Sequence, residues 1–407
     1  MNVNHHSGRQ AGFAQGLVLI LAATLSVMGI LVIAPILPQL MARYADVSGI
    51  AFLGPIVLTV PAICIALFSP VAGWLADRVG RRRLLLGAMV LYAPLGAAPL
   101  FLDDIWAILG TRVGVGLMEA VIMTASTTLI GDYFDGKRRD TWLAWQVGIS
   151  SLSAVVLLLV GGMLGAIDWR APFAVYLTAW VLALATLMLT WEPARQSRTA
   201  ARSVGETVAA FPARLMIFIC AVTLFGGVVF YIVPVQLSVV LGGLGITNPA
   251  VIGGSAAAGS LAVPFGSLAF RWLSGLGTAR ILTGAFLLAG LGLVIMGLST
   301  TYPLTMVGVV INQLGCGIIL PTLLAWAMAS LPPEHRGRGV GFWTGAFFIG
   351  QFFSPILLTV GSKLTGQLGL AVVGCGVGAI LCGLVALAAS LRAPVSRQVP
   401  LGRGDAA

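Results

Sequence analysis

The sequence predicts an all-α integral membrane protein: twelve transmembrane helices in two pseudo-symmetric bundles of six. Three observations carry that expectation. Only 9% of the 407 residues are charged and 58% are hydrophobic, with a mean hydropathy of +1.01. Soluble domains carry about 25% charged residues, so there are too few charges here to cover a soluble surface. The apolar residues fall in runs long enough to cross the ~30 Å hydrocarbon core as helices. Finally, the longest polar interruption lies near the middle of the chain, with six runs on either side.

In the first half the runs cover roughly residues 15–39, 50–74, 84–102, 105–130, 141–166 and 171–191. In the second half they cover roughly 215–240, 249–270, 279–299, 304–330, 339–361 and 367–391. The 52 glycines and 20 prolines fall freely inside them, as membrane helices tolerate. Met1–Gln10, with His5, His6 and Arg9, precedes the first run, which has no convincing small-residue cleavage site. That run is also too long for a signal peptide, so a retained helix is expected. The segment 192–214, "EPARQSRTAARSVGETVAAFPAR", is polar, basic and rich in small residues. It reads as a linker with a short surface helix. The expected organisation is therefore a bundle over 1–191, the linker, a bundle over 215–391 and a tail over 392–407. Parallel halves of this kind place a substrate site at their interface near the midplane.

The net charge of +10 raises nucleic acid as a partner, but position argues otherwise. All lysines and arginines except Arg43, Arg112, Arg170 and Lys363 lie in the termini, the linker or alternate connections on one side. That asymmetry is the positive-inside pattern, and it puts both termini in the cytoplasm. Basicity here reports topology, with no nucleic-acid partner expected. The five cysteines all lie within spans and lack metal-type spacing, so they read as small apolar packing residues.

An internal repeat supports the two halves. "GWLADRVGRRRLLL" at 73–86 has a counterpart 193 residues later in "GSLAFRWLSGLGTARILT" at 266–283. "GVG" at 114–116 has one 201 residues later in "GCG" at 315–317. In the second copy Phe270 replaces Asp77, and Gln313 stands near where Arg112 would.

Gly73, Leu75, Asp77, Arg78, Gly80, Arg81, Arg82 and Leu85 match, residue for residue, the signature between helices two and three of the major facilitator superfamily. "RVGVGLMEA" at 112–120 resembles that family's helix-four motif, and "GDYFDGKRRD" at 131–140 the loop after it. The resemblance extends over essentially the whole chain. It implies the family's fold, and alternating access as the mode of action. A topogenic anchor accounts for Arg81, Arg82 and Arg83, but not for an acid among them or for the glycines. Gly73 permits close approach of helix ends and Gly80 a turn. The resemblance implies that Asp77 sits against the cytoplasmic N-terminus of helix eleven near Gly337–Gly341, where a carboxylate meets the positive helix end. Gly73, Asp77, Arg78, Gly80 and Arg81 then form a conformational latch.

Arg112 and Glu119 are the only base and the only acid in the interior of any span. Glu119 lies ~21 Å from the outer end of a ~40 Å helix, at the midplane. Seven residues is close to two turns, so both charges share a face that Met123 and Ser126 continue. Facing lipid, a charge at this depth costs at least ~2.5–3.5 kcal/mol, so the face looks into protein or a water-filled cavity. Burial and a neighbouring arginine pull the protonation of a carboxyl in opposite directions. Its proton can therefore respond to cavity opening or to a ligand. Glu119 with Arg112 is the candidate for proton coupling and substrate binding. The alternative is a buried pair that fixes helix packing.

Further cavity-lining candidates are Trp145 and Gln146 in the fifth run, Tyr231 and Gln236 in the seventh, and Asn312, Gln313 and Trp326 in the tenth. The eleventh, "GFWTGAFFIGQFFSP", adds Trp343, Phe347 and Gln351. Aromatic residues at helical spacing serve packing as readily as binding. A pocket so lined suits amphipathic or aromatic compounds. The expected function is a secondary active transporter that exports such compounds in exchange for protons; the alternative is a proton symporter importing an organic acid, with Arg112 meeting its carboxylate. Drug/proton antiporters of the family carry G-P-x-x-G-G in helix five, whereas here Leu157-Leu158 precede Gly161-Gly162. No nucleotide loop, metal cluster or catalytic triad suggests an enzyme, and no cofactor beyond a proton gradient is expected. The expected setting is the bacterial inner membrane, with a monomer as the working unit.

Overall fold

In the computed structural model, residues 11–193, 211–332 and 335–392 are described. Among them, twelve helices are long and apolar enough to cross a membrane. The first six are α1 (Phe13–Arg43), α2 (Ile50–Val79), α3 (Arg81–Leu100), α4 (Ile105–Tyr133), α5 (Gly136–Ile167) and α6 (Ala171–Leu189). The second six are α7 (Ala213–Gly243), α8 (Pro249–Leu276), α9 (Thr278–Leu298), α10 (Tyr302–Ala329), α11 (Arg336–Thr365) and α12 (Leu368–Ala388). Each coincides with one expected run, and the described residues include no strand.

The differences lie at ends and breaks. α5 runs over Gly136–Ile167, past the expected 141–166, because a helix need not stop where the hydrocarbon does. α1 is regular to Leu31, passes through a 3-10 turn at Ala34–Ile36 and resumes over Leu37–Arg43. Pro35 and Pro38 sit at these restarts, where a missing backbone N–H is tolerated. α6 opens as a 3-10 turn over Ala171–Leu177. α8 divides at Leu261 into Pro249–Ser260 and Ala262–Leu273. Most of the linker and nearly all of the tail lie outside the described residues, including the expected surface helix.

The repeat visible in the sequence is a repeat of backbone. Gly80, between α2 and α3, has φ +105° and ψ 136°; Gly277, between α8 and α9, has φ +84° and ψ 144°. Both take a conformation that side chains disfavour, at the same turn of each half.

The two halves touch at the end away from the basic connections. There α5 crosses α8 backbone against backbone: a Cβ on Gly162 would stand 2.5 Å from the Pro249 carbonyl oxygen, and one on Gly253 2.9 Å from the Gly162 Cα. Beside this crossing α2 meets α11. The Thr359 hydroxyl donates to the Ala51 carbonyl at 3.4 Å, and the Lys363 ammonium stands 4.3 Å from the Phe52 ring centroid. Toward the basic end these contacts thin out. A Cβ on Gly345 would meet only Ala66, at 3.9 Å, and at Gly337 and Gly341 it would meet nothing within 4 Å. Phe68, Trp74, Trp145, Phe265, Trp272 and Phe342 are all exposed at that end. The halves form a V, closed at one face and open at the basic one.

Substituting Gly253→Val should push α8 off α5, disfavouring the closed contact by about 1–3 kcal/mol, the usual cost of overpacking. The readout is disulfide formation in an Ala51→Cys, Thr359→Cys double variant. Its rate should fall severalfold on adding Gly253→Val; an unchanged rate contradicts this view of the crossing.

Candidate functional site

Arg112 and Glu119 lie on α4, both essentially without solvent exposure (0% and 1%). They share a helix face as their spacing requires, yet no ion pair joins them among the described residues. Each finds its partners separately, and of the Arg112 nitrogens only Nε has none. Arg112 Nη1 donates to the Tyr176 hydroxyl of α6 at 2.9 Å, and Nη2 donates to the carbonyls of Gly96 and Leu95 on α3 at 3.0 and 3.3 Å. The guanidinium carbon stands 4.9 Å from the Tyr176 ring centroid and 5.3 Å from that of Phe173. Carbonyl dipoles and ring faces thus do the work of a counter-ion.

Glu119 uses a single oxygen. Its Oε1 accepts from the Gly29 backbone N–H of α1 at 3.0 Å and lies 3.0 Å from the Tyr92 hydroxyl of α3. The Tyr92 hydroxyl also stands 2.8 Å from the Leu25 carbonyl. One phenolic proton therefore faces two acceptors. If it goes to Leu25, the contact with Glu119 is a hydrogen bond only when the carboxyl carries a proton and donates it to the Tyr92 oxygen. The Tyr176 hydroxyl has no such ambiguity: it accepts from Arg112 and donates to the Gly29 carbonyl at 3.2 Å. Gly29 thus serves both charged residues, the acid through its N–H and the base, by way of Tyr176, through its carbonyl.

Two glycines make this possible. A Cβ on Gly29 would overlap the Glu119 carboxyl, and one on Gly96 would overlap the Tyr176 ring. Ser126, expected to continue the face, bonds its own helix at the Ile122 carbonyl, and Met123 is half-buried. Sequence reasoning missed Gly29, Tyr92, Gly96 and Tyr176. The available signal was a phenol in each of two otherwise apolar runs, which is what a buried charge needs as a partner.

At the basic end, Arg81 forms ion pairs with Asp77, one turn away at 3.2 Å, and with Asp132 of α4. Arg82 donates to the Thr190 hydroxyl and the Leu187 carbonyl at 3.1 and 2.7 Å. Arg78 stands 3.9 Å from the Trp74 ring centroid. The Glu192 carboxylate accepts from the Arg82 and Arg83 backbone N–H groups at 3.4 and 3.2 Å, so it caps the positive end of α3. A Cβ on Gly80 would stand 2.9 Å from that carboxylate. Gly73 makes no tight approach in this arrangement: its Cβ would lie 3.8 Å from Thr124. Asp132 and Glu192 were also missed by sequence reasoning.

The remaining candidates divide. Tyr231, Trp343 and Phe347 come together, with ring centroids 5.7 Å apart for Tyr231–Phe347 and 6.1 Å for Trp343–Phe347. Phe230 joins them at 5.9 Å from Phe347. Gln313 donates to the Phe230 carbonyl at 3.4 Å and to Asn312 Oδ1 at 3.0 Å, while Asn312 donates to the Ala289 carbonyl of α9 at 3.0 Å. Gln351 and Gln236 are buried. Trp326 packs instead against Phe218, at 5.9 Å. Trp145 is 58% exposed, and Gln146 donates to the Thr127 hydroxyl at 3.0 Å, both away from the cluster.

Comparison with known proteins agrees with this architecture. Residues 19–355 and 247–406 match the family model described as Major Facilitator Superfamily. The chain is 28% identical over 364 residues to "Tetracycline resistance protein, class C" of Escherichia coli, covering 84% of this chain and 88% of that protein. It is 28% identical over 170 residues to "Multidrug resistance protein MdtG" of Salmonella heidelberg (strain SL476), covering 41% of each. The crystal structure of a D-xylose-proton symporter shares the fold, with TM-score 0.75, 15% identity and coverage of 92% of this chain and 97% of that one. The chain belongs to the major facilitator superfamily and is a multi-pass membrane transporter of small molecules, not an enzyme.

Proposed function

We propose that the protein exports small amphipathic or aromatic compounds in exchange for protons, with Glu119 as the carboxyl that takes up and releases the coupled proton. The hydrogen-bond count around Tyr92 carries this reading. With Glu119 protonated, every contact among Leu25, Tyr92, Glu119 and Gly29 is a hydrogen bond. With Glu119 ionised, the Tyr92 proton must leave Leu25 for the carboxylate, and the α1–α3 contact loses a bond. Loading and unloading one proton thereby repartitions bonds among α1, α3 and α4.

Arg112 acts as a positioning residue. Its Nη1 and Nη2 are taken up by Tyr176 and two carbonyls while Nε has no partner, and the three bonds made support a role in holding α3, α4 and α6. The resistance to tetracycline and to multiple drugs named for these relatives supports the outward direction. The basic end is cytoplasmic by the positive-inside asymmetry, so the V opens inward and exposes the cavity to cytoplasmic substrate. Closure at that end brings the Asp77 loop toward the start of α11. The working unit is a monomer in the bacterial inner membrane, and no cofactor is required beyond the proton gradient.

Glu119→Gln tests the proton's role. A glutamine amide is neutral at every pH, like the protonated acid, and with its oxygen in the place of Oε1 it accepts from the Gly29 N–H and the Tyr92 hydroxyl, so the variant should fold. A pH gradient should no longer drive accumulation in inverted vesicles, while downhill exchange of a neutral substrate survives. For a cationic substrate, binding should weaken by about 1.5–3 kcal/mol, the range for a charge-assisted hydrogen bond. Expression and pH-driven transport are measured in the same vesicles, and a well-folded variant with undiminished driven transport sinks the proposal.

Asp77→Asn is expected to slow transport several-fold and leave substrate binding nearly intact, because the loop biases conformations and touches no ligand. Equilibrium binding measured beside the transport rate checks this. Binding lost in proportion to transport counts against it.

A further inference from the structure

We propose that the end of α1, with the α3–α4 and α5–α6 connections, forms a headgroup site for a phospholipid carrying a primary ammonium, of the phosphatidylethanolamine type. The site lies at the end away from the basic connections, which the positive-inside asymmetry places at the outer leaflet. It is independent of which compound is transported and in which direction.

Three stretches of chain bring charges of both signs together here. Arg170 pairs through Nη2 with Asp103, reaches the Leu102 carbonyl at 3.4 Å and donates its backbone N–H to the Asp168 carboxylate at 2.7 Å. Arg43, the last residue of α1, stands 3.9 Å from the same Asp103 oxygen. Tyr44 and Trp169 join the two arginines. Their rings meet edge to face at 6.1 Å, with the Arg170 guanidinium 5.0 Å from the Trp169 ring and that of Arg43 6.0 Å from the Tyr44 ring. Beside them Asp104 caps α4, accepting from the Trp106 and Ala107 N–H groups at 3.2 and 3.1 Å.

Donors are left over in this cluster. Arg170 Nε and the Tyr44 hydroxyl are buried without a hydrogen-bond partner among the described residues, and Tyr44 as a whole is 8% exposed. Burial pushes the Tyr44 phenol up, Arg43 and Arg170 pull it down, and Asp103 and Asp104 raise it, so its oxygen lies among these four charges. Unpaired buried donors are costly, and two of them beside two guanidinium groups call for the oxygens of an anion.

The charge balance decides what else that ligand carries. Arg43 and Arg170 face Asp103, Asp104 and Asp168, so a bare anion meets an excess of acid. A zwitterion does not: its phosphate takes the donors, and its ammonium meets Asp103, whose side chain is 73% exposed. The surroundings point to a lipid as the source. Phe101 and Ile167, at the starts of the same two connections, are 85% and 80% exposed. Apolar surface beside the charges suits acyl chains, and exposed Trp106 suits the membrane interface.

Native mass spectrometry of the purified full-length protein in detergent tests this, using phosphatidylethanolamine, phosphatidylcholine and phosphatidylglycerol with identical acyl chains. Phosphatidylcholine keeps the phosphate and the positive charge but has no ammonium N–H; phosphatidylglycerol is anionic. A single phosphatidylethanolamine should be held roughly tenfold more tightly than either, the difference one charge-assisted hydrogen bond makes. Tyr44→Phe, which keeps the ring and removes only the hydroxyl, should weaken that lipid severalfold, as should Arg43→Gln. Asp103→Asn should abolish the preference over phosphatidylcholine. Soluble phosphoethanolamine at the same concentration should leave the lipid in place; displacement by it overturns the lipid assignment. Equal retention of the three lipids overturns the proposal, as does a preference untouched by Tyr44→Phe, Arg43→Gln and Asp103→Asn alike.

Discussion

The constraint on which the rest depends is the burial of one arginine and one glutamate at membrane depth without a direct ion pair. Ionised groups in hydrocarbon are expensive and persist only with partners. Pairing Arg112 with Glu119 would have been the short solution. The fold instead gives the arginine two carbonyls and a phenol, and gives the acid one N–H and another phenol. Four helices must converge to supply these partners, and Gly29 and Gly96 must lack side chains for them to fit. The acid therefore remains free to gain or lose a proton without stripping the arginine of its partner.

The second half repeats the scaffold without the charges. Gln313 stands 201 residues after Arg112, and it reaches the carbonyl of Phe230, which stands 201 residues after Gly29. The link from helix four to helix one recurs as a link from α10 to α7, with an amide in place of guanidinium and phenol. Where the first half holds a carboxyl and a guanidinium, the second holds amides and aromatic rings. In a transporter of this kind, rocking about the Gly162–Gly253 crossing connects the two, since every helix that contacts the acid or the rings belongs to one arm of the V.

Much of this was legible in the sequence, for identifiable reasons. Hydropathy is a sum over about twenty residues, so the twelve spans survive errors at any single position. Charge at membrane depth is rare, so Arg112 and Glu119 stood out. Partners were not legible, because Tyr92 and Tyr176 meet α4 only through the rotation of α3 and α6 about their own axes. The cap by Glu192 hid at the edge of an apparent linker. Proline supplied the breaks that hydropathy smoothed over, at Pro35 within the first span.

The central claim is that Glu119 carries an exchangeable proton inside this network. Infrared difference spectroscopy of the reconstituted protein across a pH titration reads it most directly. The account predicts a carbonyl stretch of a protonated carboxyl that disappears as the proton leaves, accompanied by a change in a tyrosine band from Tyr92, and absent from Glu119→Gln. A carboxyl that stays in one protonation state at every pH where the protein transports would contradict it.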